Sequence, residues 1–114
     1  MAENSALSDL AGKRCKGCND KTGKLDRSRS EALLESLPGW SLEAEQLLKT
    51  YNFKNYYETM AFVNAVAWIS HREDHHPDLV VSYNRCDVRY STHSVGGLSE
   101  NDFICAAKVE LLSQ

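Results

Sequence analysis

His71-Arg72-Glu73-Asp74-His75-His76-Pro77-Asp78 carries three of the four histidines of this 114-residue chain. The fourth, His93, closes the alternating segment that follows. Upstream, Asn55 with Glu58 three residues later has the pattern of a helix cap. From there Tyr56, Met60, Val63 and Ala67 fall along one helical stripe, with Phe62, Val66 and Ile69 at its edge and Trp68 widening it. This predicts the main helix, buried on one side against a sheet. It must end near Asp74, because Pro77 disfavours helical geometry at His76. The histidine pair then sits just past a helix C-terminus, whose negative end favours imidazolium.

Downstream, Leu79 to Tyr83 reads as a strand, Asn84-Arg85 as a tight turn, and Cys86 to His93 as a returning strand. Val88, Tyr90 and Thr92 share one face; Asp87, Arg89, Ser91 and His93 share the other. The hairpin is expected to bring His93 back to the His75–His76 corner. Gly96-Gly97 breaks the chain. Ser99 then caps a last helix with Asp102 at its third position, and Ile104, Ala107 and Leu111 form its inner stripe.

The half before the main helix repeats the theme. Ser28 to Glu31 fits a capping box, followed by Leu33, Leu34 and Leu37, with Pro38-Gly39 as a stop. Trp40 to Leu42 and Gln46 to Phe53 read as a hairpin turning at Glu43-Ala44-Glu45. Leu47, Lys49, Tyr51 and Phe53 lie on one of its faces. The order α-β-β-α-β-β-α predicts an α+β, two-layer domain, a four-stranded antiparallel sheet with helices packed on one face. Residues 1–27 are rich in Ser, Gly, Lys and Asp and read as a flexible leader; residues 28–114 form the domain.

A net charge of -3 argues against a nucleic-acid footprint. No apolar run is long enough for a membrane span, and no signal-peptide centre is present, so a cytoplasmic protein is expected. The four cysteines then read as reduced thiols. Cys15-Lys16-Gly17-Cys18 has the spacing of half a zinc site, but no second close pair follows, and free thiols are the simpler reading. Cys86 reads as an interior strand thiol.

Histidine exchanges protons near neutral pH. His75, His76 and His93 with one meeting point therefore suggest proton-transfer chemistry. Metal binding through His71 and His75 is the rival reading; a zinc-protease helix, though, needs Glu where Arg72 stands. Asp102 belongs where it is as a helix cap, and from there it can also orient a histidine.

Glu73-Asp74-His75-His76-Pro77-Asp78, Tyr83-Asn84, Ser91-Thr92-His93 and Gly97-Leu98-Ser99-Glu100-Asn101-Asp102 closely resemble the pterin-4a-carbinolamine dehydratases, from about Ser28 to Leu112. Phe53-Lys54-Asn55 also looks like that family. The resemblance implies dehydration of 4a-hydroxytetrahydrobiopterin to quinonoid dihydropterin, recycling tetrahydrobiopterin for an aromatic amino acid hydroxylase. It implies homodimers or homotetramers and no metal or other cofactor. Carried across, His75, His76 and His93 are the catalytic histidines and Asp102 their supporting acid; His75, His76, Pro77, Ser91, Thr92 and His93 are expected to bind the pterin. One departure is His71, where many relatives have Glu; Glu73 or Asp74 would have to substitute. Some relatives also bind a transcription factor, so a protein-binding module is the alternative function.

Overall fold

The computed structural model describes residues 2–17 and 23–113. Its elements are α1 (Ala2–Ala11), α2 (Arg27–Leu34), β1 (Ser41–Glu43), β2 (Gln46–Asn52), α3 (Tyr56–Glu73), β3 (Asp78–Val81), β4 (Arg85–Tyr90), a 3-10 turn (His93–Val95) and α4 (Glu100–Leu111). The four strands form one antiparallel sheet in the order β1-β2-β4-β3. The α+β architecture expected from the sequence is therefore the one observed.

Alternation decides which side of the sheet is covered. Leu47 and Tyr51 on β2 and Cys86, Val88 and Tyr90 on β4 are buried, and the register pairs Leu47 with Tyr90 and Tyr51 with Cys86. Burial pushes the Cys86 thiol up to about 11, with Asp87 adding to the effect. The β1–β2 connection turns on Ala44 and Glu45, both with positive φ (48° and 63°), as a two-residue hairpin turn requires. Trp40, Tyr51, Phe53, Phe62 and Tyr90 form a chain of ring contacts through the core, with Tyr51 and Phe62 centroids 4.7 Å apart.

Asn55 caps α3, its side chain accepting from Glu58 N (2.9 Å). The helix ends at Asp74, which takes the left-handed conformation (φ 53°) and lets His75 N donate to Ser70 O. The buried stripe differs from the expected one: Thr59, Phe62 and Val66 face inward, while Tyr56 and Ala67 are exposed. Thr59 can face the core because its hydroxyl lies 2.9 Å from both Asn55 O and Tyr83 O.

Further expectations need correction. The leader is not irregular throughout, since residues 2–11 form α1, with Leu7, Leu10 and Ala11 buried. Helix α2 is capped by Asp26, which accepts from Arg29 N (2.8 Å), not by Ser28, and it ends at Leu34. Leu111 is 42 % exposed rather than on an inner stripe. Both α1 and α3 pack against α4, so Asn101 to Ala107 are buried without a break. Strand β4 ends at Tyr90, three residues short of expectation, and β3 ends at Val81, two residues short.

Two carboxylates tie these pieces together. Glu110 of α4 accepts from Trp40 Nε1 (3.0 Å), Lys49 Nζ (2.8 Å) and Tyr51 Oη (2.6 Å). Burial alone would raise its pKa, but these donors and the Lys49 charge outweigh that and hold it below the usual carboxylate range. Glu73, at the end of α3, accepts from Cys15 N (2.9 Å) and lies 3.1 Å from Arg14 Nε and 3.9 Å from Lys108 Nζ. Burial again opposes its ionisation, and the Cys15 amide with the Lys108 and Arg14 cations again wins.

Candidate active site

Asp102 is the centre of the site. It is fully buried at the third position of α4, and its Oδ2 accepts from Ser99 N (3.0 Å) and Thr92 Oγ1 (2.8 Å). Its Oδ1 lies 2.6 Å from His75 Nε2. A carboxylate only accepts, so the Nε2 proton sits on His75 and Nδ1 is left to take or give a proton. The ring stacks on Tyr90 with planes 9° apart and centroids separated by 5.8 Å. The imidazole is thus held by one strong bond at its edge and by an aromatic face beneath it.

The left-handed turn at Asp74 separates the adjacent histidines. His75 is turned inward and half-buried, whereas His76 is exposed. His76 Nδ1 donates to Pro77 O (3.3 Å), which leaves Nε2 with a lone pair. His93 is exposed at the start of the 3-10 turn. That turn is closed by Thr92 N donating to Gly97 O (2.7 Å) and by Gly96 at φ 68°. Gly97 also admits a close approach: a Cβ there would lie 2.5 Å from Glu45 Oε2.

Asp74, His75, His76, Ser91, Thr92, His93 and Ser94 line one open cleft of about 190 Å³. The three histidines expected to meet do line this cleft, although His93 reaches it from a turn and not from a strand. Ser91 and Thr92 also line it, but the Thr92 hydroxyl is engaged by Asp102 and by Ser99 Oγ (2.8 Å). Pro77 is not among the lining residues; its carbonyl holds His76. Neither Tyr90 nor Ser99 was expected in the site; Ser99 was expected only as a helix cap. Tyr90 was expected only to share a strand face with Val88 and Thr92, and nothing in the pattern showed that His75 would stack on it.

His71 lies tilted against the Trp68 ring (centroids 5.7 Å apart) rather than lining the cleft. Of the two acids that could stand in for a glutamate there, Glu73 is committed to Arg14, Lys108 and Cys15 N, and Asp74 lines the cleft. Among the described residues, no three His, Cys, Asp or Glu side chains cluster as metal ligands. Cys18 lies outside the described residues, so the Cys15–Cys18 pairing is not defined; Cys15 Sγ instead approaches Cys105 Sγ. No helix among the described residues is long and apolar enough to cross a membrane.

A four-stranded antiparallel sheet, helices on one face and a buried aspartate holding a cleft histidine define an α+β protein with a histidine-lined cleft. The family model for pterin 4 alpha carbinolamine dehydratase matches residues 23–112. A protein of Nitrosospira multiformis that carries the family's name is 55% identical over 111 residues, 97% of this chain and 98% of its own length. One from Xanthomonas campestris pv. campestris is 64% identical over 91 residues, covering 78% of this chain and 77% of that protein. The crystal structure of a transcriptional coactivator/pterin dehydratase from Brucella melitensis superposes with a TM-score of 0.77 at 30% identity, covering 80% of this chain and 99% of that one. A pterin dehydratase-like protein described as a RuBisCO assembly factor of the alpha-carboxysome shares the fold, with a TM-score of 0.54 at 24% identity, over 65% of this chain and 86% of its own. The chain belongs to the pterin-4a-carbinolamine dehydratase family.

Proposed function

We propose that the protein is a 4a-hydroxytetrahydrobiopterin dehydratase that releases water by histidine acid–base catalysis. The observation that carries this reading is the 2.6 Å His75–Asp102 bond at the floor of a cleft shared with His76 and His93. The reaction breaks the C4a–O bond and removes the N5 proton. A protonated imidazole gives its proton to the leaving hydroxyl, and a neutral one accepts the proton from N5. The N5 electron pair drives expulsion of the hydroxyl, so the products are water and quinonoid dihydropterin.

His75 and His93 take the acid–base work at C4a. The Asp102 carboxylate stabilises the imidazolium of His75 and fixes its tautomer. His76, with Nε2 left as a base, binds the pterin and receives the N5 proton. Ser91 and the Thr92 backbone lie along the same wall, and Asp74 is the acid closest in role to the missing glutamate. Tetrahydrobiopterin recycling with an aromatic amino acid hydroxylase, in the cytoplasm, is the setting that suits this chemistry.

The deciding experiment mixes the protein with freshly generated 4a-hydroxytetrahydropterin and follows quinonoid dihydropterin. Acceleration over the uncatalysed rate that collapses in His76→Ala supports the proposal. No acceleration by well-folded protein removes it.

A second reading concerns association. Strand β3 is an edge of the sheet, and Val80 (48 %) and Val81 (39 %) are exposed on it, with Tyr83 just beyond (63 %). An open apolar edge favours pairing with another chain. It supports a homodimer or homotetramer, or a protein-binding role of the sort that the Brucella protein's coactivator title names. Light scattering of the purified chain separates a monomer from these assemblies.

A further inference from the structure

We propose that Cys15 and Cys105 are a redox-active dithiol, which a small disulfide oxidises to an intramolecular disulfide fastening the segment after α1 to α4. The two sulfurs are 3.4 Å apart, within hydrogen-bond reach of each other. A disulfide needs a separation near 2.05 Å, so the sulfurs must close by about 1.4 Å. Cys15 lies in irregular backbone after α1, where side-chain rotation and small backbone shifts supply that movement. It is half-buried, and Cys105 is fully buried. The partially exposed thiol therefore meets the oxidant first, and the buried one resolves.

The positions are anchored on both sides. Cys15 N donates to Glu73, and Asn101, one turn before Cys105, accepts from Lys16 N (2.9 Å). The Asn101 side-chain amide returns a bond to Lys16 O. Cys105 keeps its proton, because it bonds to Cys15 and because burial and the nearby charges of Cys15, Glu73 and Asp102 raise its pKa.

With glutathione disulfide as oxidant, the Cys15 thiolate attacks one sulfur, the oxidant's S–S bond breaks, and one glutathione leaves as a thiolate that takes up a proton. Cys105 then loses its proton, attacks Cys15 Sγ and expels the second glutathione. Two cysteine S–H groups become one S–S bond, and the oxidant is reduced to two thiols. The site is independent of the dehydratase reading.

The test equilibrates the full chain in glutathione buffers of increasing oxidised fraction, blocks remaining thiols and maps them by mass spectrometry. The expected result is loss of two of the four titratable thiols and a Cys15–Cys105 cross-linked peptide. The melting temperature of the linked form should rise by roughly 5 °C or more, since the closed loop is long. Cys18→Ser should retain both effects, and Cys15→Ser should lose both. A Cys15–Cys18 link in the wild type, or Cys105 still open to alkylation in unfolded samples after Cys15 has been consumed, overturns the proposal.

Discussion

Asp102 binds His75 through one carboxylate oxygen at 2.6 Å and the start of its own helix through the other, by way of Ser99 N at 3.0 Å. The bond that orients His75 and the first turn of α4 therefore share one side chain. Asp102→Asn keeps the volume but replaces one acceptor with a donor. Turnover of 4a-hydroxytetrahydropterin is expected to fall by roughly 10²-fold or more, the scale of one general acid–base contribution. Stopped-flow measurement of kcat checks this; unchanged turnover would remove the orienting role.

The three histidines should separate when stability is read beside activity. His76 and His93 are exposed, so His76→Ala and His93→Ala should leave stability within about 0.5 kcal/mol. His75→Ala strands a buried carboxylate and should cost about 3 kcal/mol. Denaturant unfolding of the three variants, alongside their turnover, makes the comparison. Equal stability losses would contradict the placement of His75.

Thr92→Val preserves shape and deletes the hydroxyl that bonds Asp102 and Ser99. A loss of about 1–2 kcal/mol is expected, as for a buried hydrogen bond to a charged acceptor. Turnover should fall with it, because one of the bonds holding Asp102 in place is gone. Urea unfolding that matches wild type would show that Ser99 alone suffices.

Glu73 and Glu110 both have pKa values held below the ordinary 4.5. The unfolded chain thus binds more protons than the folded one in the window below pH 4.5. Stability should be fully present above that window and lost as pH falls through the depressed folded values. Glu110→Gln should flatten the acid limb of a Tm-against-pH curve. It should also lower stability at neutral pH, by about 2–4 kcal/mol, since Lys49, Tyr51 and Trp40 lose a charged acceptor.

Leu7 of α1 is 2 % exposed, so Leu7→Ala should cost about 2–4 kcal/mol. Thermal unfolding within 1 °C of wild type would mean that α1 is not part of the cooperative unit.

The parts of the fold legible in the sequence were those set by local rules. The two-residue alternation along β4 grouped Val88 and Tyr90 on one face, which is the buried one, and Asn55 and Ser99 marked two helix starts correctly. Pro77 ended α3, and the corner it makes led to His75 and His76. What stayed hidden depended on long-range contacts. Leu7, Leu10 and Ala11 have helical spacing, but the segment is short and polar, and it is buried only because α4 lies against it. Without that partner, the burial of α4 on nearly every side could not be foreseen, and Leu111 was placed wrongly. Asp26 and Ser28 are both good caps, and only the observed bond to Arg29 N chooses between them. Thr59 was absent from the expected stripe, and the Tyr83 O within reach of its hydroxyl lets it face the core. The site showed the same division: the histidines announced themselves, but the Tyr90 stack and the choice between Glu73 and Asp74 needed three dimensions.

The packing of α1 on α4 joins an element made before the sheet to one made after it. During synthesis α1 has nothing to dock on until α4 emerges, so closure of this core is a late, non-local step. A stalled or shortened chain that holds the whole sheet would still leave Leu7 and Leu10 without cover, ready for a chaperone or for aggregation.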